Sequence, residues 1–313
     1  YAPGAGTPPP ELAGRDELLE SARVALERVR RGLPARSLLM VGLRGVGKTV
    51  LLDALLATAE GLGLDTVRIE APEGRSLPAM LAPQLRQALL RLSRHDQARE
   101  LARRGLRALA GFAKALKLKY ADLEVGIDLD PEAGLADNGD LEQDLTALLE
   151  AVGAAAQAAG TALALFIDEL QYVPEEQLAA LITALHRCAQ RKRPVLLFGA
   201  GLPQLRGRMG RAKSYAERLF EFPEIGALPP AAAAQAITKP ALAQGVKYEA
   251  AAIVHIVKET QGYPYFLQEW GKHAWDAAPG SPIRLDDVRA ASASALAAMD
   301  ENFFRVRFDR LTP

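Results

Sequence analysis

One cysteine in 313 residues, Cys188, has no second thiol in the chain to pair with. That excludes an internal disulfide framework and any cysteine-cluster metal site. It also fits a reducing compartment, so a cytoplasmic location is expected. The four histidines (His95, His186, His255 and His273) are scattered without metal-ligand spacing. Net charge is lacking as well, because 38 basic side chains balance 38 acidic ones. No global field therefore draws the molecule to nucleic acid or to an anionic membrane, and such a partner would have to use a local patch. No apolar run reaches the ~18–20 residues of a membrane span, so no membrane partner is expected. Residues 1–10 have neither a basic start nor an apolar stretch, which argues against a signal peptide there; they read as a flexible lead-in.

What is present has ordinary globular proportions, 49% apolar and 24% charged. The length suits one or two domains. Apolar spacing over 11–30 fits a helix or two. Ser37–Val41 is an apolar run of strand length that ends in a glycine-rich turn, and a second apolar run starts at Val50. Further strands are predicted at 65–69, 162–167, 194–198 and 219–222, and helices over 141–159 and Glu175–Gln190. Residues 84–119 read as helical and basic, with Arg99, Arg103, Arg107 and Lys114 on one stripe. Alternating residues from Leu116 to Tyr120 and from Leu123 to Leu129 predict a β-hairpin. From Asp122 to Glu150 every charged residue is acidic. Strands alternating with helices predict an α/β fold with a parallel sheet.

Beyond Leu228-Pro-Pro230 only helical patterns appear, at 231–237, 248–259, 263–277 and Leu285–Met299, separated by Pro240, Gln261-Gly262 and 279–282. The expected organisation is a lead-in at 1–10, an α/β domain at 11–228 and a small all-α domain at 229–299. The α/β domain carries an insertion at about 84–140. Residues 300–313 would begin a linker or a truncated further domain.

The chemistry concentrates in two places. Gly42-Leu-Arg-Gly-Val-Gly-Lys48-Thr49 matches G-x-x-x-x-G-K-[ST]. Its glycines let backbone N–H groups and a helix N-terminus converge on a phosphate. Lys48 adds a point charge, and the Thr49 hydroxyl suits Mg²⁺. Gly42, Leu43, Arg44, Gly45, Val46, Gly47, Lys48, Thr49 and Val50 are thus the candidate binders of Mg-ATP or ADP. Asp168-Glu169 follows the 162–167 run, at a strand end of the kind that faces ligands in open α/β sheets. Asp168 is expected to hold Mg²⁺, and Glu169 to orient and deprotonate water. After the 194–198 strand the turn has no Asn, Ser or Thr, so hydrolysis is expected to be slow unless Gln204 substitutes. Arg211 and Arg218 precede the last strand, and Arg218 is the candidate to reach a neighbouring subunit's nucleotide. Tyr263 and Pro264 open a helix that would lie near the nucleotide or pack between domains. The Arg99 stripe suits a phosphate backbone, solvent or the acidic stretch after Asp122.

This ordered set resembles an AAA+ P-loop ATPase of the initiator-like and archaeal-ATPase branch, in bacterial forms of which a winged-helix domain follows. The matching segments are Gly14-Arg-Asp-Glu-Leu18, residues 42–49, Leu165-Phe-Ile-Asp-Glu-Leu-Gln171 and Gly262-Tyr-Pro-Tyr265. The resemblance implies a five-stranded parallel sheet of order 5-1-4-3-2 and a helical lid. It also implies adenine contacts at Gly14 and Arg15, and homo-oligomers joined through the ATP interface. The function so implied is a nucleotide-driven molecular switch, with DNA or a protein partner reached through the insertion or a missing C-terminal domain. The alternative is a signalling or scaffold protein that holds ATP structurally. Two departures stand out. The polar residue after the fourth strand is absent, and Tyr-Pro-Tyr replaces an arginine that many relatives carry.

Overall fold

The computed structural model describes residues 1–4, 6–117 and 131–305. Apart from its first two residues, the hairpin expected from Leu116 to Leu129 lies outside the described residues, as does most of the segment 300–313 expected to begin a linker or a truncated further domain. The chain divides into two compact units. One comprises Leu19–Gly42 and Leu51–Glu224, the other Tyr1–Leu18, Leu43–Val50 and Ile225–Pro313.

The first unit is built on β1 (Ser37–Val41), β2 (Asp65–Glu70), β3 (Leu163–Asp168), β4 (Val195–Gly201) and β5 (Phe220–Glu221). Their order is β2-β3-β4-β1-β5, the expected order read from the opposite edge, and every pair is parallel. β1, β3 and β4 are buried at every residue, as uninterrupted apolar runs require when helices cover both faces. β2, at the edge, alternates between buried and half-exposed positions. Because all strands run one way, their C-terminal ends share one edge of the sheet. Gly42 leaves β1 at that edge, its N–H bonded to the Gly201 carbonyl at 3.2 Å.

The helices before and between the strands are α1 (Asp16–Arg30), α2 (Lys48–Gly61), α3 (Leu77–Leu92), α4 (Arg99–Ala115), α5 (Leu141–Ala158), α6 (Glu175–Gln190), α7 (Gln204–Ala212) and the single turn α8 (Ala216–Leu219). The continuous helix read over 84–119 is two helices. α3 starts earlier because Pro78 falls in its first turn, where a missing N–H costs nothing. Leu106, Leu109 and Phe112 of α4 join the core with Leu148 and Leu149 of α5. The opposite, basic face is matched by carboxylates: Arg107 lies 3.4 Å from Glu100 and 3.6 Å from Glu132, and Arg104 lies 3.2 Å from Glu132. α7 has no counterpart in the sequence reading. Glycines at 207 and 210 and only Leu205 and Met209 as buried residues leave it a weak pattern.

The second unit is helical: α9 (Pro230–Ala243), α10 (Ala250–Thr260), α11 (Pro264–Ala277) and α12 (Leu285–Met299), followed by a π-helical turn at Asp300–Arg305. Ile237, Ile256, Leu267, Trp270 and Val288 form its core. Pro240 does not end a helix as expected but lies inside α9. Only three residues follow it there, so the one backbone bond it deletes falls in the last turn. Residues 1–4, read as part of a flexible lead-in, engage this unit. The Tyr1 hydroxyl donates to the Ile237 carbonyl at 2.6 Å, its ring meets Trp275 edge-on, and Ala2 N–H donates to Gln268 Oε1 at 3.1 Å.

Candidate functional site

The phosphate loop begins where β1 ends and closes as α2 begins at Lys48. Gly45 and Gly47 take φ of +83° and +91°, backbone that side chains other than glycine rarely adopt. Around Gly47 a Cβ would meet nothing within 4 Å. At Gly45 a Cβ would lie 2.9 Å from Phe303 and 3.2 Å from both Tyr263 and Tyr265. The loop's carbonyls are taken up too: Tyr263 donates its hydroxyl to Arg44 O, and Tyr265 N–H donates to Gly45 O at 3.2 Å. Tyr263 stacks on Phe266 and Tyr265 on Phe303, so aromatic rings line this side of the loop. Pro264 sits at the first turn of α11, the position it was read to favour.

Lys48 is only 7% exposed, and its Nζ donates to the Leu43 carbonyl at 2.8 Å. The loop therefore curls around its own ammonium group, a cationic cradle that fits an anionic phosphate chain. Thr49 follows at the second residue of α2. Gly14 has φ +68°, and a Cβ there would sit 2.6 Å from that of Ala232, so only glycine allows this approach to α9. Arg15 donates to the Gly226 carbonyl at 2.5 Å, and burial lowers its guanidinium pKa from the usual arginine value. Gly14, Arg15, Leu43 to Val50, Tyr263 and Pro264 all belong to the second unit.

Gly42, Asp168, Glu169 and Arg218 belong to the first. Asp168 closes β3 with 2% of its surface exposed. One oxygen accepts the Glu169 N–H at 2.8 Å, and the other lies 3.5 Å from Arg68, whose Nε donates to Asp53 at 2.8 Å. The buried carboxylate is thus compensated by a backbone donor and a cation. Glu169 departs from the strand into the left-handed region, φ 54° and ψ 36°, and a short 3₁₀ turn at Leu170–Tyr172 follows. Among the described residues no group of three or more His, Cys, Asp or Glu could hold a metal.

β4 runs to Gly201 rather than stopping at Phe198, so the turn beyond it is Leu202-Pro203. Gln204 begins α7 with its side chain exposed. A different amide reaches this turn: Gln171 Oε1 accepts the Leu202 N–H at 3.0 Å. Reading the sequence by motif quoted Gln171 but gave it no task, and nothing local to it signals the contact. Arg218 lies exposed on α8, while Arg211 pairs with Glu175 at 3.6 Å.

Residues 11–198 match the family model described as AAA ATPase domain. The chain belongs to the AAA ATPase family. Solved relatives of this AAA ATPase share its fold at low identity. The Walker-type ATPase PABY2304 of Pyrococcus abyssi aligns at TM-score 0.57 and 16% identity over 97% of this chain and 78% of its own. The ORC2 protein of Aeropyrum pernix, in its ADP form, aligns at TM-score 0.53 and 14% identity over 92% and 70%. A RuvB variant of Thermotoga maritima aligns at TM-score 0.51 and 16% identity over 91% and 70%. No curated protein matches the sequence at a significant level. Nucleotide binding follows from the family. Among the described residues of this AAA ATPase, no helix is long and apolar enough to cross a membrane.

Proposed function

We propose that this AAA ATPase hydrolyses Mg-ATP and uses the cycle as a molecular switch. The observation that carries the reading is the sheet edge: β3 ends in Asp168-Glu169 at the same edge from which Gly42 leaves β1 toward Lys48 and Thr49. In this reading the backbone N–H groups of residues 42–50 and the Lys48 ammonium hold the phosphates, Gly14 and Arg15 contact the adenine, and Tyr263 and Pro264 lie near the nucleotide. Thr49 and Asp168 would hold Mg²⁺, the latter through water. Bound Mg-ATP supplies the transferable phosphoryl group and a metal that neutralises its charge. Glu169 orients a water molecule and takes its proton, a contribution of about 10²–10⁴ in rate. Arg218, exposed on α8, is assigned to a neighbouring copy's nucleotide in a homo-oligomer. A protein or DNA partner would use the insertion at about 84–140. The carboxylates beside Arg104 and Arg107 favour a partner other than DNA at that part of α4.

Phosphate release and calorimetry with Mg-ATP test the assignment. Lys48→Ala is expected to abolish detectable ATP binding. Glu169→Gln is expected to keep binding while lowering turnover about 10²–10⁴-fold. Wild-type turnover in the Glu169 variant would remove it as the base. A second reading, a scaffold that holds ATP with negligible turnover, is favoured by the turn after β4, which has no Asn, Ser or Thr of its own. Binding without phosphate release in the unaltered protein would select that reading.

A further inference from the structure

The side chain of Gln171 is almost fully buried, with 4% of the residue exposed, and both ends of its carboxamide are engaged. Its Nε2 donates to Glu169 Oε2. Its Oε1 accepts the N–H of Leu202, the first residue beyond β4. The amide thus spans from the assigned base to the turn whose own sequence offers no polar side chain.

The surroundings hold it there. Arg208 of α7 donates to the Gln171 carbonyl and, at 2.7 Å, to the Val173 carbonyl, which fixes the 3₁₀ turn from both sides. At Gly201 a Cβ would lie 2.9 Å from Gln171 Oε1 and 2.7 Å from Leu205, so glycine at the end of β4 leaves the room that the amide occupies. The left-handed backbone of Glu169 starts the turn that returns Gln171 to its carboxylate. An amide suits such a bridge because it donates and accepts at once and does not ionise at either end.

We infer that Gln171 is a positioning residue for hydrolysis: it holds the Glu169 carboxylate and the Leu202 turn as one unit. The inference rests on the ATPase reading above. It assigns Gln171 no contact with nucleotide, so its removal acts on turnover and leaves binding alone.

The test compares unaltered protein, Gln171→Leu and Gln171→Glu in steady-state and single-turnover ATP hydrolysis, in affinity for a non-hydrolysable ATP analogue and in thermal melting. Gln171→Glu keeps the acceptor for Leu202 N–H and loses the donor to Glu169, so it serves if the leucine variant does not fold. Both variants are expected to lower kcat about 10–100-fold, the size of a lost hydrogen bond to a charged group. KM and analogue affinity should stay within about twofold, which is under the tenfold that 1.4 kcal/mol represents. In a Glu169→Gln background Gln171→Leu should add less than about twofold, because the group it positions is gone. Wild-type kcat in both variants would overturn the inference. So would a kcat loss that tracks analogue affinity or melting, or a full additive loss on top of Glu169→Gln. If unaltered protein hydrolyses ATP and Glu169→Gln stops it while the Gln171 variants do not matter, only this inference fails. If unaltered protein releases no phosphate, the ATPase reading fails and the inference with it.

Discussion

The loop after β1 and the turn after β3 reach unusual backbone by opposite means. The loop places glycine at its left-handed positions, Gly45 and Gly47. The turn places Glu169 there, a residue for which the conformation costs about 1–2 kcal/mol. A glycine loop can curl without strain but has no side chain to work with at those positions. The β3 turn needs a carboxylate at its bend, so strain is accepted and held by the Asp168 acceptor, the Gln171 amide and the two carbonyl bonds of Arg208. Strain at a residue with an assigned chemical role is a recurring sign of a site whose geometry matters more than its local stability.

Alanine substitution breaks the comparison at its strongest point first. Gly45→Ala meets two penalties, a left-handed backbone and a Cβ against Phe303, Tyr263 and Tyr265. Backbone strain of about 1–3 kcal/mol and overpacking of about 1–3 kcal/mol add there. Gly47→Ala meets only the first, since a Cβ there has nothing within 4 Å. Denaturant unfolding should therefore rank Gly45→Ala well below Gly47→Ala in stability. Equal losses would mean that the rings yield freely and that Gly45 is glycine for its backbone alone.

Much of this arrangement can be read in the chain and some of it cannot, for reasons of distance. β1, β3 and β4 announce themselves because strands buried on both faces are unbroken apolar runs, and their parallel direction follows from helices between strands, whereas the strand order is implied only by the family resemblance. Lys48 and Asp168 are visible because a motif and a strand end are local features. Gln171 could be quoted but not interpreted, because Leu202 comes to it only through the β3–β4 crossover, 31 residues later. The rings against Gly45 come from residues 263 to 303, brought together by α11 and by the turn after α12. Pro240 misleads by a general rule: proline ends helices by deleting a backbone bond, and in the last turn of α9 that deletion costs little. α7 is missed because its two glycines dilute the period, although Arg208 on it fastens the 3₁₀ turn.

The smallest effect isolates the strain itself. Glu169→Gly and Glu169→Ala both remove the carboxylate and with it the contact to Gln171, so each is expected to lose turnover to the same extent. They differ only in backbone. At an ordinary position alanine is the more stabilising of the two, because glycine loses about 0.5–1 kcal/mol more conformational entropy on folding. At φ 54° the order should reverse, since alanine bears about 1–2 kcal/mol of left-handed strain that glycine escapes. The difference leaves Glu169→Gly more stable than Glu169→Ala by up to about 1.5 kcal/mol, about 0.75 at the middle of both ranges, within reach of paired denaturant melts. Should alanine prove the more stable, the bend after β3 would not be a strained one, and the contrast with the glycine loop would dissolve. Should glycine win by the expected margin, the strain at this turn would be measured apart from the chemistry assigned to its carboxylate.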